Sequence, residues 1–351
     1  MRRTQVAGLA GLALLAACGN TDLQERTELL EYRVLAIRAD IPEPSPDQSV
    51  TLTAIEHDPH DVDPTLPTGP RFYVWETCAF SVGSLAQYDC LDPLAGQQVD
   101  PGTPPSPEQA ELAARVLAVL TEYGITPDEA QAIFQPAIVQ TEGPELVLDL
   151  ATVGGVGVRA LYDLCAALAE DGLCRTIDGT PFTLEEGWNL YVKLYSGLEG
   201  VVRNDTVKLL KVRDFDERNQ NNPAFAGLEA TDGEGRVTTS GKPEQKLTLT
   251  LAMVAGSAEE YEAIQYGTDG RPLRDADGAF ITETTTEELL YSWFATGGDL
   301  LRSRTVSDEQ FDQLENTLTL PEEPGPVRVW VVARDGRGGF AVRQLDLVVE
   351  E

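Results

Sequence analysis

Short runs that alternate apolar and polar residues recur along this chain, and they recur twice in the same order. In 49–55 (SVTLTAI), Val50, Leu52 and Ala54 fall on one side and the threonines on the other. The stretch 246–254 (KLTLTLAMV) does the same. A period of two places alternate side chains on opposite faces of a strand, and no helix matches it. The runs also correspond. Val50-Thr51-Leu52-Thr53-Ala54 echoes Leu247-Thr248-Leu249-Thr250-Leu251, and Tyr73-Val74-Trp75 echoes Tyr291-Ser292-Trp293. Thr183-Leu184-Glu185-Glu186-Gly187 leads into Leu190-Tyr191-Val192-Lys193-Leu194, as 319–325 leads into Val327-Arg328-Val329-Trp330-Val331. Strands with one apolar face need a second sheet to cover them. The repeat therefore predicts two structural units, each a sheet packed on a sheet.

Further strands are predicted at 32–38, 71–80, 145–150, 188–195, 206–212, 290–295, 327–333 and 342–349. In 32–38, Tyr32, Val34 and Ala36 fall on one side, and Arg33, Leu35 and Ile37 on the other. Each half carries a tryptophan in its middle strand, Trp75 and Trp293, which is expected to fill the space between sheets. The stretch Asp335-Gly336-Arg337-Gly338-Gly339 suits a tight hairpin with positive φ. Such an order, with a central Trp and a closing hairpin, is that of an Ig-like sandwich.

The first unit is interrupted. Ser106-Pro107-Glu108-Gln109 opens a helix with Ser at the N-cap and Pro at the first position. Thr126-Pro127-Asp128-Glu129 opens another, and Val158, Leu161, Tyr162, Cys165 and Leu168 mark a third amphipathic helix. The expected organisation is a mainly β chain of two Ig-like β-sandwich domains, the first carrying an α-helical insertion. The bounds are 1–17 signal peptide, 18–31 tether, 32–213 first domain with insertion at about 105–174, 214–223 linker and 224–351 second domain.

The N-terminus gives an address. Met1-Arg2-Arg3 is basic, 6–17 is apolar or small, and Leu15-Ala16-Ala17-Cys18-Gly19 ends the run. This is the layout of a secretory signal with a small-residue cleavage site. It resembles the lipobox of bacterial lipoproteins, which implies cleavage before Cys18 and lipid on its thiol. Gly19 instead of Asp at the next position implies the outer membrane by the sorting rule of that family. The closing segment 327–349 resembles the end of PKD-like and cadherin-like modules. The whole is similar to lipoproteins of myxobacteria-type deltaproteobacteria, which pair a lipobox with such strands. Elsewhere no apolar run approaches ~20 residues, so the lipid is the one membrane attachment expected.

Cys78, Cys90, Cys165 and Cys174 then remain, an even number in an exported chain. Disulfides are expected, with three possible connectivities, of which Cys78–Cys90 and Cys165–Cys174 is the simplest. No C-x-x-C spacing suggests a metal cluster.

The 351 residues hold 26 basic and 58 acidic side chains, and loss of 1–17 leaves 24 basic ones. Such a charge opposes nucleic acid and anionic headgroups, so no nucleic-acid partner is expected. His57 and His60 share a loop with Glu56, Asp58, Asp61 and Asp63, where zinc competes with an ordinary Asp/Pro turn. Asp275-Ala276-Asp277-Gly278 suits calcium or a plain turn, and fails the EF-hand spacing. No G-x-S-x-G or H-E-x-x-H is present. Thr152-Val153-Gly154-Gly155-Val156-Gly157 lacks the Lys-Ser/Thr of a phosphate loop. No catalytic residue, metal site or cofactor is assigned. The expected function is a membrane-anchored scaffold, adhesion or partner-binding module for a protein or glycan, held through lipidated Cys18. A calcium-dependent ligand- or glycan-binding module is the alternative, and a carboxylate-based hydrolase a further one. The acidic loop 257–288 and the helical insertion are the expected binding surfaces.

Overall fold

The computed structural model describes residues 27–66, 68–79, 114, 118, 120–122, 124–126, 133, 136–168, 183–268, 272–307 and 312–351. Seven strands of the first half form two antiparallel sheets. β1 (Arg33–Ala39), β2 (Ser49–His57) and β5 (Glu145–Asp149) lie in the order β1–β2–β5. β3 (Arg71–Cys78), β4 (Ala137–Thr141), β6 (Trp188–Leu198) and β7 (Val201–Val212) lie in the order β4–β3–β6–β7. Val50, Leu52 and Ala54 point inward as their alternation predicts, and meet Tyr73, Trp75, Leu190, Val192 and Leu194 of the facing sheet.

The second half repeats the plan. β8 (Phe225–Thr231) leads through the short β9 (Val237–Thr238) and β10 (Ser240–Gly241) to β11 (Lys246–Met253). A hairpin of β12 (Glu260–Ile264) and β13 (Thr282–Thr286) follows, then β14 (Leu289–Ala295), β15 (Asp299–Leu300) and β16 (Arg304–Ser307). β17 (Glu315–Thr319), β18 (Gly325–Arg334) and β19 (Phe340–Val349) complete it. The sheets run β9–β8–β11–β17–β15 and β10–β19–β18–β14–β16, around a separate core that includes Leu249, Trp293, Val329 and Val331.

Set side by side, β1–β7 correspond to β8, β11, β14, β16, β17, β18 and β19. In each half the first, second and fifth of these strands share one sheet, and the fourth, third, sixth and seventh the other. This is the Ig-like strand order, with the fourth strand placed beside the third instead of beside the fifth. The correspondence reaches single atoms. Tyr73 pairs across the ladder with Thr141, and Tyr291 with Thr305. The indole N–H of Trp75 donates to Thr141 Oγ1 at 3.1 Å, and that of Trp293 to Thr305 Oγ1 at 2.9 Å. Both tryptophans are fully buried, so each polar N–H needs such an acceptor.

Four expectations are corrected. First, 105–174 is not one insertion. β4 and β5 interrupt it as members of the frame, and α1 (Val158–Leu168) lies on the β5–β6 connection. β4 is an edge strand exposed from Ala137 to Gln140, so it has no inward face for alternation to reveal. Second, 257–288 is not a plain loop, because β12 and β13 pair within it, from Glu260 opposite Thr286 to Ile264 opposite Thr282.

Third, the end of the 18–31 tether is docked. Leu29 is 1% exposed, its N–H donates to Ala295 O at 2.9 Å, and Ala295 N–H donates to Thr27 O at 2.9 Å. Fourth, β1 does not keep one face inward. A bulge between Val34 and Ala36 shifts its register. Val34 and Ile37 enter the first core, while Leu35 and Ala36 enter a third cluster between the halves. A strand buried on both sides reads as a continuous apolar run, and 34–37 is VLAI. Among the described residues no helix is long and apolar enough to cross a membrane.

Candidate functional site

The third cluster is the apolar base of a junction between the two sandwiches. Leu29, Leu35 and Ala36 pack there against Trp330 and Val332 of β18. Beside it lies a polar network centred on the β18–β19 turn. Gly336 (φ 76°) and Gly338 (φ 96°) give that turn the positive dihedrals its sequence predicts. Asp335 holds it closed, with Oδ1 accepting from the N–H of Arg337 and of Gly339, both at 2.8 Å. Its Oδ2 accepts from the Asn219 amide at 2.8 Å. The segment 214–223, expected as a linker, is therefore built into the junction. Asn222 also spans it, donating to Ala39 O at 2.9 Å and accepting from Phe340 N–H at 2.8 Å.

Arg337 projects from the turn between two buried carboxylates. It donates to Glu43 Oε2 and to Glu287 Oε1, each at 3.2 Å, and to Glu217 O at 3.0 Å. Its guanidinium lies 4.0 Å from the Tyr261 ring centroid. Glu43 Oε2 also accepts from Asn219 N–H at 2.7 Å and from Arg213 at 3.5 Å. Burial pushes the Glu287 carboxyl up to about 7, and the nearby Asp335 adds to that shift. Lys208 of β7 donates to Gly338 O at 2.8 Å and lies 4.4 Å from the Phe340 ring centroid. Burial brings its ammonium down to about 8.

Above the network opens a cleft of about 380 Å³. β7 lines one wall with Leu209 and Lys211, and Arg213, the residue after the strand, continues it. β12 and Tyr266 line the other, with Tyr261 and Ile264. Glu43 and the Gly336–Gly338 turn also line it. Two halves and an inserted hairpin thus converge on one concave site of ligand size. The sequence marks the turn, but nothing in it links Arg337 to Glu43, 294 positions away.

The residues singled out by sequence lie elsewhere. Cys18, Cys90 and Cys174 fall outside the described residues. Cys78 ends β3 and Cys165 sits in α1, and both are buried. Glu56, Asp58 and Asp61 converge, and the cation they meet is the guanidinium of Arg71, at 2.6, 3.0 and 2.9 Å. His57 Nε2 is 3.1 Å from Leu29 O, and His60 Nδ1 is 2.8 Å from Leu66 O. Burial lowers the His57 pKa, so its neutral form ties the docked N-terminal segment to β2. Asp275 caps a turn, its Oδ1 accepting from Asp277 N–H and Ala279 N–H at 2.9 Å each. In the glycine-rich stretch before α1, a side chain at Gly157 (φ 85°) would collide with Ala151 O, so the glycine serves a tight turn. Among the described residues no group of three or more His, Cys, Asp or Glu is placed to hold a metal ion.

No protein-family profile matches this chain, and no curated protein matches it. Solved structures do show likenesses. The D0-D1 domain of intimin aligns at 11% identity over 90% of this chain and 98% of that one, with a TM-score of 0.20. A two-domain fibronectin type III segment from chicken tenascin aligns at 8% identity over 90% and 98%, also at 0.20. The native conformation of E. coli alpha-2-macroglobulin aligns at 10% identity over 91% of this chain and 17% of that one, at 0.21. Superpositions at such scores carry no argument, and the Ig-like description rests on strand order alone.

Glu43 and Glu287 act as counter-ions to Arg213 and Arg337, and Asp335 is consumed by the turn. Among the described residues, the cleft also presents the Lys211 ammonium, the Glu262 carboxylate, Tyr261, Tyr266 and the apolar Leu209 and Ile264.

Proposed function

We propose that the chain is a lipid-anchored, non-catalytic binding module of the cell envelope. It consists of two Ig-like units, 32–213 and 224–351, that present a cleft to a protein or glycan partner. The observation that carries this reading is the cleft itself, built from both halves on a buried and hydrogen-bonded junction. A concave site on a rigid base binds with little loss of conformational freedom.

The anchor is Cys18, reached after cleavage of 1–17, and the outer membrane is its place. Eight residues, 19–26, separate Cys18 from the docked Thr27. They span at most about 30 Å at ~3.6 Å per residue, so the body stays close to the bilayer. A single acyl chain gives marginal binding, and the multiple chains of the lipobox family answer that. The four remaining cysteines form two disulfides in this reading.

Membrane fractionation tests the anchor. Cys18→Ala is expected to release a folded protein into the soluble fraction, and retention in the membrane pellet would refute lipid anchoring. Pull-down with the wild-type lipoprotein from detergent-solubilised membranes tests the binding role. A specific partner, lost when Arg337 is replaced by Ala, is the expected result.

A further inference from the structure

Among the described residues that line the cleft, Lys211 is the one cation that the junction does not use. Arg213 and Arg337 both contact Glu43, and Arg337 also contacts Glu287. Lys211 lines the same wall of the cleft as Arg213, yet it pairs with no carboxylate of the described residues. Glu43 and Glu186 attract it from farther off, and Arg213 and Arg337 repel it. Its position is built. Gly187 adopts a φ of 104°, and a Cβ there would come within 2.6 Å of the Lys211 stem. The glycine thus clears a path along which the stem lies to bring the ammonium to the cleft. A half-buried ammonium without a partner is costly to keep. An incoming anion would relieve that cost.

The neighbouring groups narrow the anion. Glu43 forms part of the lining, so a dianion such as phosphate would meet a carboxylate with one uncommitted cation among the described residues to offset it. A single carboxylate matches a single ammonium. The remaining walls mix ring faces with an oxygen acceptor. Tyr266 is 55% exposed and offers its ring, and Leu209 and Ile264 add apolar surface. Glu262, which accepts from Thr284 Oγ1 at 2.6 Å, has lone pairs left for hydroxyl donors. Aromatic faces beside carboxylate acceptors suit a ring with C–H bonds on one side and hydroxyls at its rim. We propose that the junction cleft binds a saccharide bearing one carboxylate, with the Lys211 ammonium taking the carboxylate and Tyr266 stacking on the sugar ring. This rests on the reading of the chain as a binding module.

Calorimetric titration of the full-length protein with D-glucuronate tests the assignment, with D-glucose and phenylacetate as comparisons. Saturable binding of glucuronate is expected, with glucose and phenylacetate each at least about tenfold weaker, since each lacks one of the two recognised features. Lys211→Met keeps the stem over Gly187 and removes the charge. It is expected to weaken glucuronate at least about tenfold with a melting temperature equal to or above that of the wild type, because the unpaired buried charge is gone. Should that variant fail to fold, Tyr266→Ala on the exposed wall provides the second test and is also expected to weaken binding. Absence of saturable glucuronate binding, equal binding of phenylacetate, or full affinity in Lys211→Met would each overturn the proposal. If the pull-down still recovers a partner in that case, the binding-module reading stands and the saccharide assignment alone falls.

Discussion

Glu287 sits where two demands on one carboxyl conflict. Arg337 lies 3.2 Å away and favours the charged form. The residue is only 5% exposed, and Asp335 and Glu259 add negative charge nearby. Burial is the larger effect and lifts the group to about 7. An unfolded glutamate titrates near ~4.3. Between those values the folded chain holds a proton that the unfolded chain has released. The contribution of Glu287 to stability is therefore fully present below the unfolded value and is lost as pH rises through about 7. Unfolding free energies measured in urea from about pH 5 to about pH 8 are expected to fall more steeply for the wild type than for Glu287→Gln, by up to one proton in slope. Parallel profiles would mean that Arg337 keeps Glu287 ionised throughout. The same turn shows how sharply single positions are specified. At Gly338 a side chain would have to accept a positive φ and also come within 3.1 Å of Pro42 O in the other half, while at Gly336 it would meet open space.

At the scale of strands, the two halves share one device, a buried indole that donates to a threonine on the neighbouring edge strand. Replacing Thr141 or Thr305 by Val keeps the shape and removes the acceptor. Each change leaves a buried N–H unsatisfied and is expected to cost about 1–3 kcal/mol. The two costs should add, because the sites lie in separate cores. Denaturant midpoints of the two single variants and the double variant measure this, and a neutral Thr305→Val would show that the bond is dispensable. The sequence displays the Tyr-x-Trp half of this device but not the threonines. β4 and β16 are short edge strands, and neither shows an inward-facing apolar alternation. Strands with one wet face, such as β2 and β11, were legible because burial alternates along them. β1 was misread because both of its faces are covered, and α1 was legible because it packs one face on a core. The cleft was legible only as the glycine turn. Its other members, among them Glu43, Lys211 and Tyr261, are ordinary single residues that only the folded chain brings together.

At the scale of the whole molecule, the question is whether two sandwiches behave as beads on a string or as one body. A loose connection would rest on 214–223 alone. Here that segment is hydrogen-bonded to both halves, Trp330 and Val332 are buried against Leu35, and Leu29 closes the cluster from the N-terminal side. Glu43 and Glu287 are each at most 3% exposed at the side chain, and Arg337 is the cation that contacts both. Truncating one member of such a buried set leaves uncompensated charge and costs about 3–5 kcal/mol. That loss falls on the coupling between the halves and spares the two separate cores. Scanning calorimetry of the wild type is therefore expected to show one cooperative transition. Arg337→Ala should divide it into two, the less stable half melting first. Trp330→Ala, which empties the apolar side of the same junction, should act in the same direction by removing packing instead of charge. Two transitions in the wild type would mean that the halves fold independently. The cleft would then lack a fixed shape, and its walls would have to be ordered by the ligand they receive.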